Sequence, residues 1–182
     1  MRVTNNLWPV FGICLLLSGC DTYTAEPYGI SMDNNVILKR LAPANVTVGQ
    51  FTAPAKISMM RRLVGPIHLP GDVAPEDYIS KAISAELELA GLSGNAGPGV
   101  TLTGQIDQFS FNSMIGDASW DIGLTVASTN GKKLAVSESY PFHASYVGDA
   151  ACHNVADAFE PAVEALTSKL VADPGFPALL KN

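Results

Sequence analysis

Apolar residues recur at helical spacing over residues 75–90. Ile79, Ile83 and Leu87 form one stripe, which predicts an amphipathic helix. Pro75 suits the first helical position because it lacks the amide hydrogen that would have no partner there. Gly91 suits the end of the helix, where a left-handed backbone is often needed.

A second helical stripe lies near the end of the chain, after Asp149, which we expect to cap the helix. Its apolar members are Cys152, Val155, Phe159, Val163, Leu166 and Leu170. Pro161 has no amide hydrogen to donate, so we expect a kink within this helix.

Between the two helices, apolar residues alternate with polar or small ones. Residues 120–126 alternate without interruption, which predicts a strand with one wet face. Residues 100–111 alternate too, but the apolar parity changes near Gln108, which predicts a β-bulge there. Val46, Val48 and Phe51 indicate an earlier strand.

Asn130-Gly131 marks a turn between two strands, and register decides its length. A three-residue loop over residues 129–131 pairs Val126 with Leu134 and keeps the apolar residues on one face. A two-residue loop would place Leu134 on the wet face. The three-residue loop is therefore predicted, although it leaves Glu138 opposite Ile122.

The order of elements is strand, helix, three antiparallel strands and helix. It predicts an α+β fold: a small antiparallel sheet of about four strands with two helices packed on one face. One globular domain is expected over residues 36–182, which is within the usual size of a single domain.

The first twenty residues have the pattern of a secretory signal peptide. Arg2 is followed by an apolar run over residues 7–17, which is too short to span a bilayer. Leu17-Ser18-Gly19-Cys20 resembles the lipobox of bacterial lipoproteins, in which the cysteine is acylated and becomes the new N-terminus. The resemblance implies cleavage of residues 1–19 and a lipid anchor at Cys20.

Residues 20–35 are expected to be the acylated N-terminus and a flexible tether, because they are polar and interrupted by Pro27 and Gly29. The anchor implies a protein held on a bacterial membrane and facing the periplasm. The choice between inner and outer membrane stays open, as does the oligomeric state.

Composition excludes several classes of function. The formal net charge is −6, whereas nucleic-acid binding proteins usually carry a basic patch, so no nucleic-acid partner is expected. Hydrophobic residues make up 47% and charged residues 15%, which is unlike a disordered chain. The chain has no phosphate-binding loop, dinucleotide fingerprint or paired zinc cysteines, so neither a cofactor nor a metal is predicted.

Cys152 and His153 allow a thiol-enzyme hypothesis, because a helix N-terminus favours a thiolate. The alternative is that Cys152 belongs to the apolar stripe and is a small buried hydrophobic residue. Neighbouring helical residues point about 100° apart, which favours the buried alternative.

Two segments are candidates for contact with a partner. The first is a proline-interrupted loop with adaptable apolar and basic residues, whose candidate contact residues are Met59, Met60, Arg61, Arg62, Ile67 and His68. The same residues could instead cover a sheet edge. The second segment, residues 113–116, is either an exposed apolar tip or a bulged strand.

The layout of the chain resembles the YajG type of small bacterial envelope lipoproteins. The resemblance rests on the lipobox, on YISKAISAELELAGL, on the turn STNGK and on NVADAFEPAVEAL. The plan is also similar to that of auxiliary lipoproteins of ABC-type lipid transport systems. These likenesses imply an envelope location but no catalytic residue.

Three hypotheses follow. The first is a non-enzymatic, lipid-anchored periplasmic protein that binds another envelope component, such as a protein complex. The second is an auxiliary subunit of an ABC-type lipid or solute transport system. The third is a thiol-dependent enzyme that uses Cys152.

Overall fold

The computed structural model describes residues 23–53, 59–61 and 64–181. The predicted α+β class is confirmed. The strands are β1 (Tyr23–Thr24), β2 (Val46–Thr52), β3 (Met60–Arg61), β4 (Val64–His68), β5 (Val100–Asn112), β6 (Ser119–Ser128) and β7 (Lys133–Pro141). The helices are α1 (Met32–Lys39), α2 (Pro75–Leu89), α3 (Gly148–Asp157), α4 (Phe159–Ala172) and α5 (Phe176–Leu179).

The main sheet has four strands in the order β2-β5-β6-β7. The prediction that it is antiparallel is correct for β5, β6 and β7 but wrong for β2, which pairs parallel with β5 through Val46 opposite Val100. The reason is the crossover: α2 carries the chain back along the sheet, so β5 enters in the same direction as β2.

The register of the β6–β7 hairpin is confirmed. Val126 lies opposite Leu134 and Ile122 lies opposite Glu138. Gly131 has a φ of 84°, the left-handed conformation that the three-residue loop needs. The bulge near Gln108 is also confirmed, because the pairing with β6 shifts between Ile106 and Gln108.

Two helices cover one face of the main sheet, as predicted. Helix α2 packs on β2 and β5, while α4 packs on β6 and β7, and the two helices contact each other. The core between these layers includes Trp120 and Phe159, whose ring centroids are 5.0 Å apart. On the other face of the sheet, polar side chains bond one another, as between Thr125 and Asp107.

The tether predicted over residues 20–35 differs from the structure over residues 23–35. Tyr23 and Ala25 are buried in the core, and α1 packs on α2 and α4. The sequence hides this helix because its buried face contains Asn34 and Asn35, so no apolar stripe marks it.

The long C-terminal helix is broken rather than only kinked. Helix α3 ends at Asp157, and α4 begins at Phe159. Pro161 cannot donate to the carbonyl group of Asp157, which favours the break. The expected cap by Asp149 is wrong: the N-cap residue is Val147, and no side chain caps the helix.

A second sheet lies beside α3, in the order β1-β4-β3. Strand β1 pairs parallel with β4, with Tyr23 opposite Ile67. Strand β3 pairs antiparallel with β4. Within the described ranges, no helix has the length and apolar character needed to cross a bilayer.

Candidate functional site

The predicted contact loop is mostly built into the small sheet. Ile67 is 3% exposed, so its side chain belongs to the core rather than to a contact surface. Met59 is half-buried against the same core. Met60 and Arg61 form β3, and Arg62 lies outside the described residues.

His68 is partly exposed. Its Nδ1 lies 2.9 Å from Oδ1 of Asp72, and 39% of its side chain is accessible. Both groups are near the surface, where such a pair contributes little to stability. The contact fixes the imidazole beside the turn that leads into α2.

A junction of polar groups joins the first described residue of the chain to α3. The hydroxyl of Tyr23 donates to Oδ1 of Asp149 across 2.8 Å. The Tyr23 ring also meets the His153 ring edge-on, with centroids 5.0 Å apart. Asp149 and His153 therefore hold the start of β1 in place.

Cys152 lies next to this junction in sequence but faces the core. Its exposed fraction is 0%, as is that of Val155 on the same stripe. The buried alternative for Cys152 is confirmed. A thiol with no accessible surface cannot meet a substrate in this conformation, so the geometry does not favour the thiol-enzyme hypothesis.

An open cleft of about 880 Å³ lies at the turn end of the β6–β7 hairpin. Three segments line it, residues 41–45, 91–99 and 177–181. Asn130, in the hairpin turn, donates from Nδ2 to the carbonyl oxygens of Ala178 and Lys181, which holds the third segment against the sheet.

The walls of this cleft are rich in proline, with Pro43, Pro98 and Pro177 among them, and they combine apolar side chains with a substantial share of polar surface. Two asparagine side chains hold the walls together. Nδ2 of Asn45 donates to the carbonyl oxygen of Gly97, and Nδ2 of Asn95 donates to that of Ala44, each across 2.8 Å. A concave surface of this mixed character can hold a ligand or a segment of a partner.

Sequence reasoning missed this cleft because its three segments are far apart in the chain. The glycine- and proline-rich stretch at residues 94–99 indicates only a loop. Nothing in a one-dimensional pattern shows that residues 41–45 and 177–181 meet it. Lys181 is the titratable side chain that lines the cleft.

A buried carboxylate holds α1 against α2. Glu86 has an exposed fraction of 0%, and its Oε1 accepts from the Tyr28 hydroxyl and the Ser31 amide at 2.8 Å, and from Asn34 Nδ2 at 3.2 Å. The pKa of the Tyr28 phenol lies well above its ordinary value. Burial is the larger cause, and the hydrogen bond to Glu86 is the second. Glu86, Ser31 and Asn34 are buried and Tyr28 is half-buried, so we interpret this arrangement as structural.

No group of three or more His, Cys, Asp and Glu side chains is placed to hold a metal ion, as far as the described ranges extend. Cys20, the predicted site of lipidation, lies outside those ranges, three residues before Tyr23. Its acylation stays a prediction.

Of the two alternatives for residues 113–116, the structure shows the exposed apolar tip. Strand β5 ends at Asn112, and the side chains of Met114 and Ile115 are 70% and 46% exposed. The neighbouring loop exposes Tyr146 by 89% and Val147 by 63%. Neither loop belongs to the cleft.

Comparisons with known proteins identify a shared fold. No family model matches the chain, and no curated protein matches its sequence. The crystal structure of a protein from Xanthomonas campestris, described by the family model DUF330, is similar with a TM-score of 0.54 and 14% identity; the match covers 83% of this chain and 92% of that one.

A second solved structure is a PelC variant from Paraburkholderia phytofirmans, described as a dodecamer. Its TM-score is 0.36 at 12% identity, and the match covers 77% of this chain and 93% of that one. At that score it carries no argument about this chain. The comparisons thus establish that the fold is shared with a DUF330 protein, and they do not confirm the YajG-type resemblance.

Proposed function

We propose that this protein is a lipid-anchored, non-enzymatic lipoprotein of the bacterial envelope, of the YajG type, that binds another envelope component on the periplasmic side. The observation that carries the proposal is the lipobox-like Leu17-Ser18-Gly19-Cys20, which stands directly before a folded domain. Tyr23 is already buried and bonded to Asp149, so the anchor and the domain are close neighbours.

The cleft is the surface that best suits binding. It is concave and lies beside the β6–β7 turn, where Asn130 holds residues 178–181, whereas Asp149, the partner of Tyr23, follows the other end of β7. A protein anchored at Cys20 would therefore present this cleft away from its lipid attachment. Binding of another envelope component requires no cofactor.

The anchor is tested with two matched cysteine variants. Wild type, Cys20→Ala and Cys152→Ala are expressed in a bacterium with alkyne palmitate, and membrane and soluble fractions are compared. We expect wild type and Cys152→Ala to be labelled and membrane-bound, and Cys20→Ala to be neither. Retention of Cys20→Ala in the membrane at the wild-type level would contradict the anchor.

The binding surface is tested by photo-crosslinking in cells. A photoreactive amino acid replaces Ala96 in the cleft or, as a control, Thr125 on the polar face of the sheet. We expect one reproducible partner from position 96 and none from position 125. Equal crosslinking from both positions would exclude the cleft as the binding surface.

The same experiment addresses the alternative function. If the partner at position 96 is a permease or a substrate-binding protein, and it copurifies in a fixed ratio, the chain is an auxiliary subunit of an ABC-type transport system. A partner of another kind leaves the free-standing binding role.

A further inference from the structure

Two loops expose large apolar side chains at the end of the molecule opposite to the cleft. The β5–β6 loop exposes Met114 and Ile115, and the loop between β7 and α3 exposes Tyr146 and Val147. We call these four residues the apolar end. Exposed apolar side chains that gather in one place usually mark a contact surface.

The main sheet places both loops together. Ser119, which follows the first loop, lies opposite Pro141, which precedes the second. The amide of Phe142 donates to the carbonyl oxygen of Ala118 across 3.0 Å. The two loops therefore lie side by side at the same end of the sheet.

The start of the described chain lies at this same end. Tyr146 and Val147 immediately precede the first turn of α3, where Asp149 accepts the hydrogen bond of Tyr23. Tyr23 is three positions after Cys20 in the sequence, and three residue steps span at most about 11 Å even when fully extended. A lipid on Cys20 would therefore lie close to the apolar end.

We propose that the apolar end rests on the surface of the lipid bilayer that holds the acyl chains of Cys20, with Met114, Ile115, Tyr146 and Val147 in the interface. This inference rests on the lipid anchor of the proposed function and adds an orientation to it. The cleft, about 30 Å away along the ten residues of β6, then opens away from the membrane.

A lipid surface is favoured over a protein by the short connection. A domain tied within about 11 Å of its acylated residue has little room for a protein between itself and the bilayer. The residue types agree, because tyrosine is enriched at membrane interfaces, where its ring is buried and its hydroxyl stays hydrated. Charge does not draw the domain to an anionic membrane, because the predicted mature chain is more acidic than the −6 of the whole sequence. The proposed contact therefore depends on the acyl chains and the apolar side chains.

The test uses the full lipidated protein in phosphatidylcholine vesicles. Ile115→Cys carries an environment-sensitive fluorophore at the apolar end, and Lys132→Cys carries it in the hairpin turn at the opposite end. Unsubstituted protein treated alike measures background labelling of Cys152. Vesicle flotation reports the anchor, and quenching by lipids spin-labelled near the headgroup reports the contact.

We expect the protein to float, position 115 to lose most of its fluorescence to the quencher and position 132 to lose none. Flotation without quenching at 115, or equal quenching at both positions, overturns the docking but leaves the anchor. A blue-shifted signal at 115 without lipid quenching indicates a protein contact and also overturns it. Failure to float overturns the proposed anchor and this inference together.

Discussion

The hydroxyl of Tyr23 lies 2.8 Å from Oδ1 of Asp149, which joins residues 126 positions apart in the chain. Tyr23 begins β1, and Asp149 lies in the first turn of α3. The bond ties the segment that follows the predicted anchor to the helix beside the apolar end. In the orientation that we propose, this junction sets how the domain lies relative to Cys20.

Tyr23→Phe removes that bond while keeping the ring that packs on His153. We expect a loss of about 1 kcal/mol, since a hydrogen bond of this kind contributes roughly that much. In a domain of this size the thermal midpoint would fall by about 3 °C. Thermal unfolding followed by circular dichroism measures it. Tyr146→Phe is the matched control, because its side chain is 89% exposed; an equal fall in both variants would contradict the assignment.

The features predicted correctly from the sequence are those in which buried and exposed side chains alternate along a few neighbouring residues. Alternation fixed the pairing of Val126 with Leu134, because a shift by one residue would expose the apolar set. The change of parity near Gln108 located the bulge for the same reason. In each case neighbouring residues contain the whole signal.

The features missed depend on residues that no local pattern connects. Helix α1 buries Asn34 and Asn35, and Asn34 donates to Glu86 on a distant helix, so a polar sequence forms a buried face. The parallel pairing of β2 with β5 requires the crossover by α2. The cleft needs three separate segments, and the predicted contact residue Ile67 became core when β1 paired with β4.

Oε1 of Glu86 accepts three hydrogen bonds. Replacing Glu86 tests whether these bonds hold α1 in place. Glu86→Ala removes this acceptor from the half-buried Tyr28 hydroxyl and from two buried donors, the Ser31 backbone amide and the Asn34 side-chain amide. We expect a loss of about 3 kcal/mol or more, because each buried donor left unpaired costs about 1–3 kcal/mol. Urea denaturation measures the change.

Two variants calibrate that result. Glu86→Gln retains an acceptor oxygen, so we expect a loss of about half that of the alanine variant. Glu88→Ala lies on the exposed side of the same helix and should change the free energy of unfolding by less than about 0.5 kcal/mol. If Glu86→Ala resembles Glu88→Ala, the carboxylate does not fix α1.

The stability of the protein should fall at alkaline pH through two tyrosines. Burial raises the pKa of Tyr28 and of Tyr78 in the folded protein, and the negative charges of Glu86 and Glu160 add to the respective shifts. Above about pH 10, the unfolded chain releases these phenolic protons while the folded chain keeps them. The free energy of unfolding therefore falls as pH rises above 10.

The comparison is between wild type and the Tyr28→Phe/Tyr78→Phe variant, with urea midpoints measured from pH 8 to pH 11. All other titratable groups are present in both proteins, so the difference in slope reports the two phenols. We expect the variant to lose less stability than wild type over the alkaline range, even if it starts lower. Parallel slopes would show that the two phenols titrate alike in the folded and unfolded chains.

The last prediction concerns Cys152. Its reactivity distinguishes a buried core residue from an accessible nucleophile. With an exposed fraction of 0%, the thiol should react with an aromatic disulfide reagent only as fast as the domain opens, and at once in guanidinium. Cys152→Ala should lower the free energy of unfolding by about 1–2 kcal/mol through the cavity it leaves. When the photoreactive residue is placed at position 96, the Cys152→Ala variant should crosslink to the same partner as the protein with Cys152. Rapid labelling of the native protein, or loss of the partner without loss of stability, would instead support a thiol-dependent function.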